Sequence, residues 1–306
     1  MHMPELLKVC SCLPAATNIL VSLGLSDLIV AATFECPIDR PIIIHSSIHD
    51  KNLSASEINN LISIHKKENT TVNSIDEELL LNISPDVLFT QAICNVCQIG
   101  EGDVVDALVK HNLNTKVYSL NPKSLEDVLE DIITVANACD NPDKGGKLIS
   151  SLRKEMNDIK VTLEEQQRAV VNCSFFEWMD PIFNCGHWIP DQLKIAGGKD
   201  ALENPYGYSY PVDVKKIEGY DPEVLIFSAC GMSLEQSLIE VEKVLDNPFW
   251  KELSAYQNKN IWIVDGNLFT QPGPDLIKGI QLLSAIFNPD LFIISDELKN
   301  FYIQYE

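Results

Sequence analysis

Leu148, Leu152, Met156, Ile159 and Leu163 recur at spacings of four, four, three and four, the period that lays one apolar stripe along an α-helix. Lys154, Glu155, Asp158, Lys160, Glu164 and Glu165 stand between them, so the opposite face is wet. The pattern predicts a helix over 147–168, roughly 33 Å long at ~1.5 Å per residue. Asn141-Pro142 and Gly145-Gly146 form a turn-rich entry to it. Near the middle of 306 residues, such a helix serves as a strut if the chain on either side makes the same kind of structure.

The flanking patterns agree. Before the strut, short apolar runs at 8–12, 28–32, 87–90 and 116–120 read as strands. They alternate with amphipathic stretches at 15–23, 55–66, 76–81, 103–110 and 124–138, the last with Ser124 and Asp127 as a plausible N-terminal cap. Residues 42–73 are otherwise polar and without a strong period. After the strut, strands are predicted at 169–175, 224–227 and 261–264, with helices at 189–195, 234–245 and 274–287. The alternation predicts an α/β protein of two lobes with parallel sheets joined by a single long helix. Its expected parts are an N-terminal lobe over 1–143, the linking helix over 144–168 and a C-terminal lobe over 169–306. Ser84-Pro85-Asp86-Val87-Leu88-Phe89-Thr90 is answered by Asp221-Pro222-Glu223-Val224-Leu225-Ile226-Phe227, with Cys94 and Cys230 following, which points to shared architecture in the two halves.

Charge narrows the partners. Acids outnumber bases 44 to 23, a net charge of −21, which argues against nucleic acid and anionic membrane. Arg40, Arg153 and Arg168 are the three arginines, few for a polyanionic ligand. No run of eighteen apolar residues occurs and 1–8 carries none before the first strand, so neither membrane insertion nor a secretory leader is expected. The expected location is the cytoplasm; a trimmed leader would place the protein outside it. Nine cysteines, an odd number, suggest thiols or metal ligands before disulfides.

Ligands of open parallel sheets collect beyond the carboxyl ends of the strands. If the two lobes face each other, those ends wall one cleft. From the first lobe they bring Pro14, Phe34, Glu35, Cys36 and Gln91 with the run to Cys97; from the second, Glu177, Trp178, His187, Trp188, Cys230 and Asn267. Trp178 and Trp188 on post-strand loops can wall a flat ligand or fill core between loop and sheet. Cys94-x-x-Cys97 is half of a zinc site that Cys36 and His187 would complete, and a redox pair or buried apolar thiols are the alternatives. No Ser-His-Asp elbow, Walker loop or dinucleotide glycine pattern is present.

Taken in series, Cys12-Leu13-Pro14-Ala15-Ala16-Thr17-Asn18, Glu35-Cys36, Pro85-Asp86-Val87-Leu88 leading to Gln91 and Cys94-Asn95-Val96-Cys97, Glu177-Trp178-Met179-Asp180-Pro181, Gly186-His187-Trp188-Ile189-Pro190 and Asp265-Gly266-Asn267 before Pro272-Gly273-Pro274 form a pattern over nearly the whole chain. It resembles the cobalamin-type branch of the helix-linked periplasmic binding proteins. The resemblance implies two Rossmann-like lobes on one rigid helix with little hinge motion, a small-molecule ligand between them and, if the protein is exported, an ABC permease as partner. Phe34 stands where relatives tend to have His, and Ala92 where an acid is frequent. A binding protein is therefore expected, with no cofactor assigned and a corrinoid, cobalamin first, or a zinc or iron ion as ligand. Two readings compete with it. One is an enzyme working through Cys94, Cys97 or a metal held with Cys36 and His187. The other is a scaffold with a vestigial cleft, which would pack Trp178 and Trp188 into the core.

Overall fold

The computed structural model describes residues 6–49, 51–68, 70–91 and 101–305. These form two compact units, one of residues up to Pro122 with Asp127–Ile149, the other of Lys123–Glu126 with Ser150 onward.

In the first unit, strands form where apolar runs are short and unbroken. Val9–Ser11 (β1) leads into the helix Pro14–Ser22 (α1), and Ile29–Thr33 (β2), Ile42–Ser46 (β3), Ala55–Glu68 (α2), Asn73–Ile75 (β4), Glu77–Ile83 (α3) and Val87–Thr90 (β5) follow. Glu101–Lys110 (α4), Lys116–Ser119 (β6), Leu125–Ala138 (α5) and the start of Pro142–Glu165 (α6) complete the order. The sheet runs β4-β3-β2-β1-β5-β6, parallel throughout except where β4 meets β3 antiparallel. β1 and β5 are buried at every position, as central strands covered on both faces must be. Cys10, Ala31, Ile43, Leu88, Val104 and Leu108 share the core there. The strands β3 and β4 were not expected in 42–73. Ile42-Ile43-Ile44 is too short a run to show a period, and pairing with β2 is what makes it a strand.

The second unit begins with the rest of α6 and adds Val171–Met179 (β7), Ile182–Asn184 (β8), Gly186–His187 (β9), Ile189–Ile195 (α7), Gly198–Lys199 (β10) and Asn204–Pro205 (β11). Val214–Tyr220 (α8), Val224–Phe227 (β12), Leu234–Leu245 (α9), Ser254–Gln257 (α10), Ile261–Val264 (β13), Leu276–Phe287 (α11) and Tyr302–Tyr305 (β14) follow. The sheet order is β10-β7-β12-β13-β14, with β8 folded back on β7. Its centre is parallel, and β14 and β8 pair antiparallel. Phe176, Phe227 and Trp250 pack ring against ring under it, with centroids 5.3 to 5.9 Å apart.

The repeat seen in the sequence has the same local structure twice. α3 and α8 each end on a left-handed residue, Ser84 at φ 46° and Asp221 at φ 45°, before the proline. The acid after each proline then accepts from a backbone N–H at the start of the adjacent strand segment. Asp86 Oδ2 takes the Lys8 N–H at 2.8 Å, and Glu223 Oε1 takes the Asn172 N–H at 3.4 Å. β5 and β12, four residues each and wholly buried, follow.

The helix α6 starts and ends earlier than its apolar stripe suggested. Pro142 opens it in the first turn, where a missing N–H costs nothing, and Gly145-Gly146 lie inside it. Packing against α5 explains the glycine. A Cβ on Gly145 would stand 2.7 Å from the Ala136 Cβ. Gly145→Leu is thus expected to lower stability by about 1–3 kcal/mol, read as the denaturant midpoint; an unchanged midpoint would show that the two helices can part cheaply. Ile149 is buried in the first unit, and Leu152, Met156 and Ile159 in the second. No described helix is long and apolar enough to cross a membrane.

Candidate functional site

Each unit gathers polar and aromatic residues at the carboxyl ends of its parallel strands. In the first, Ser11 lies beside Ala32 of β2 and Phe89 of β5, so the segments after these three strands are neighbours. Leu13 N-caps α1 without a side-chain bond and Pro14 opens it, buried. Thr17, one turn in, donates to Ser11 Oγ at 2.8 Å and lies 3.0 Å from Cys36 Sγ. Phe34 is half-buried, its ring 4.5 Å from that of His49. Gln91 is half-buried beyond β5.

Glu35 is exposed, yet the surrounding protein desolvates its carboxyl and pushes it up to about 6. The two tendencies oppose each other, and the exposure governs: a solvated Glu35 titrates closer to an ordinary glutamate. Cys36 is half-buried, and burial pushes its thiol up to about 11 against the lowering effect of Thr17 and the Thr33 backbone. Such a thiol is a poor nucleophile at neutral pH. Alkylation of Cys36, followed by peptide mass mapping at pH 8, is expected to run about tenfold slower than that of a free cysteine. A rate equal to or above it would return Cys36 to the list of reactive thiols. Cys94 and Cys97 lie outside the described residues, and His187 belongs to the other unit. Among the described residues no three His, Cys, Asp or Glu side chains are placed to hold a metal ion.

In the second unit the expected post-strand loops are more ordered than loops. β7 runs on through Glu177, Trp178 and Met179 and turns back as β8; Trp178 faces Phe183 across this hairpin, and Glu177 sits at the irregularity between that pair and Phe176–Asn184. Trp178 is half-buried, its indole N–H on the Asp180 carbonyl at 3.2 Å. Trp188 is a correction to the ligand-wall reading. It is 5% exposed and donates Nε1–H to the Phe269 carbonyl at 2.6 Å. Ile189 and Pro190 begin α7 directly after it, which draws the indole into the core.

His187 is likewise not a simple turn residue. It lies in β9, paired to β11, with the left-handed φ of 52°. Its ring meets Trp188 at 5.3 Å and Tyr208, edge on, at 5.2 Å. Nε2 is buried with no hydrogen-bond partner, and burial lowers the imidazole pKa, so the neutral ring is favoured. A second segment that the strand-end reading passed over crosses here: Tyr206-Gly207-Tyr208-Ser209-Tyr210. His187 N donates to the Gly207 carbonyl at 2.7 Å and Tyr206 N to the His187 carbonyl at 3.2 Å. Tyrosines at every second position between Pro205 and Pro211 were the available signal.

Glu177 ties hairpin and strap together. Its Oε1 accepts the Gly186 N–H at 2.7 Å, and Ser209 hydrogen bonds it as well. Burial raises its carboxyl to about 7, partly offset by these two bonds. Beside it, Cys230 N donates to the Glu177 carbonyl at 3.4 Å and the Cys230 side chain is exposed. Gly266 packs so closely on the Ala229 carbonyl that a Cβ would lie 2.7 Å from it. Asn267, exposed, is held by its N–H on Asp265 Oδ1 at 2.8 Å. The ends of β7, β12 and β13 therefore bring Glu177, Cys230 and Asn267 to one edge of the unit.

With this geometry in place, the comparison with known proteins is direct. Residues 42–268 match the periplasmic binding protein family, and the chain belongs to that family. Over 293 residues it is 19% identical to an uncharacterised ABC transporter substrate-binding lipoprotein of Bacillus subtilis strain 168, covering 93% of this chain and 81% of the relative. It is 21% identical over 278 residues to a vitamin B12-binding protein of Vibrio parahaemolyticus, 89% of this chain and 86% of that one. A periplasmic haem-binding protein of Pseudomonas aeruginosa has the same fold, with a TM-score of 0.67 at 15% identity over 95% of this chain and 96% of its own. The family is one of ligand-binding proteins, and the enzyme alternative finds no support in it.

Proposed function

We propose that this protein binds a single flat, metal-centred small molecule, a corrinoid in the first place, with the carboxyl-end residues of the second unit's sheet among its contacts, and passes it to the permease of an ABC importer. The observation that carries the reading is the Glu177 clamp. A carboxylate fixes both the glycine before His187 and the tyrosine strap over it, so the exposed tyrosine rings are held in place before any ligand arrives. Such preorganisation is what lowers the cost of binding. The vitamin B12-binding relative supports a corrinoid, and the haem-binding neighbour makes haem the ligand to test against it.

Titration of the protein's intrinsic fluorescence with cyanocobalamin, aquacyanocobinamide and ferric haem tests the reading. Saturable quenching at one equivalent by a corrinoid, with micromolar or tighter affinity, is expected. Non-saturating response to all of them would end it.

A further inference from the structure

The second unit's sheet has two ends, and Glu177, Cys230 and Asn267 stand at the carboxyl one. The other end holds a cavity of its own. Its volume is about 500 Å³, and Lys251, Tyr256, Gln257, Lys259, Ile261 and Tyr305 line it. Ile261 is the first residue of β13 and Tyr305 the last of β14, and the two face each other across the antiparallel pair. The whole of β13 therefore separates the cavity from Asp265 and Asn267. A space of this size suits a small organic molecule.

The walls are set by backbone bonds. Gln257 N donates to the Leu253 carbonyl at 3.1 Å and Lys259 N to the Tyr256 carbonyl at 3.0 Å. Lys259 takes a left-handed φ of 55°, and Gln304 Nε2 reaches its carbonyl from β14 at 3.2 Å. Gln257 Nε2 is bound to the Glu252 carbonyl at 3.2 Å. Leu253 and Ala255, both buried, anchor the turn in the core.

Hydrogen-bond donors dominate the lining. Lys251 and Lys259 are exposed, and among the described residues neither ammonium has an ion-pair or hydrogen-bond partner. Tyr256 and Tyr305 are half-buried. Burial first, then Tyr256, Glu242 on α9 and Asp246 at its end, push the Tyr305 phenol up from its ordinary value, so it keeps its proton and can donate. The same two acids, with Glu252 beside Lys251, limit the charge that fits. Two ammoniums opposed by neighbouring carboxylates suit one negative charge and disfavour several. Glu306, which follows Tyr305, lies outside the described residues.

We propose that this cavity is a second binding site, independent of the residues around Glu177, for a small flat molecule that carries one carboxylate. Lys251 and Lys259, on long flexible stems, receive the carboxylate. Ile261 and the two tyrosine rings give apolar contact to the body of the ligand, and the phenol hydroxyls and Gln257 Oε1 remain for its polar groups.

Calorimetric titration of the full chain with indole-3-acetate, its neutral amide indole-3-acetamide, and inorganic pyrophosphate tests the proposal. Saturable one-to-one binding of the acid is expected, with the amide and pyrophosphate each about tenfold weaker or more. Exposed ion pairs are individually weak, so Lys251→Gln and Lys259→Gln should each weaken the acid about threefold and together about tenfold. Melting curves check that these variants fold, and Lys259→Arg, which keeps the charge, should retain the affinity. Four results each overturn the proposal: no saturable binding of the acid, an amide bound as tightly, pyrophosphate bound more tightly, or an affinity that the double variant leaves unmoved. None of them bears on the ligand proposed for the residues around Glu177.

Discussion

Gly186→Val is expected to abolish ligand binding and to lower stability by about 1–3 kcal/mol, the usual cost of forcing extra atoms into a packed site. A Cβ at this position would stand 2.5 Å from the Gly207 carbonyl oxygen, 2.7 Å from Ser209 N and 3.0 Å from the Tyr208 carbonyl carbon. All three are backbone atoms, so no rotamer change relieves the contact. The strap has to lift, and with it go the His187–Gly207 hydrogen bond and the Ser209 bond to Glu177. Gly219→Ala is the control, since a Cβ there meets nothing within 4 Å. Denaturant midpoints and fluorescence titration of the two variants check the expectation. A Gly186→Val protein with wild-type affinity would separate the strap from the ligand.

The second large effect is expected at Asp200, which is 1% exposed. Its carboxylate accepts the Phe175 N–H at 2.9 Å and the Leu202 N–H at 2.8 Å, joining β7 to the segment after β10. Asp200→Leu orphans two backbone donors and is expected to cost about 2–6 kcal/mol. The same burial raises the carboxyl from 3.8 to about 7, which sets the direction of a pH effect. An acid with a higher pKa folded than unfolded favours the fold while protonated. That contribution is whole below 3.8 and is lost as pH rises through about 7. Thermal midpoints should therefore fall between pH 4 and pH 7, and Asp200→Asn should flatten part of the fall. Glu177, also raised to about 7, keeps its own share. A midpoint that rises over this range in the wild type would contradict the assignment.

Much of the architecture was legible because it rests on local pattern. The runs 87–90, 224–227 and 261–264 and the helices 189–195 and 234–245 coincide with β5, β12, β13, α7 and α9 residue for residue. These are buried strands with clear flanks, or helices with full apolar stripes. What escaped was structure made by its partners. β3, β4 and β14 are three to five residues long, at or next to sheet edges, and gain their identity from pairing. α6 reached back across Gly145-Gly146 because contact with Ala136 decides that segment.

The candidate site divided along the same line. Residues directly after a strand, such as Glu35, Cys36, Cys230 and Asn267, could be named from order alone. Trp188 could be read from sequence either as a ligand wall or as core filling, and the helix starting at Ile189 turns it inward. The tyrosine strap lies far from every strand that the sequence pattern predicts; the two-residue pairing of β11 with β9, the Glu177–Ser209 bond and the left-handed pair His187 and Tyr206 bring it over the site.

Hydrogen–deuterium exchange with and without aquacyanocobinamide tests the central claim most directly. Slowed exchange in peptides spanning 186–188 and 206–210, growing with occupancy and absent in Gly186→Val, is the result expected. Saturating ligand that leaves those peptides unchanged, or protects only segments remote from Glu177, would contradict it.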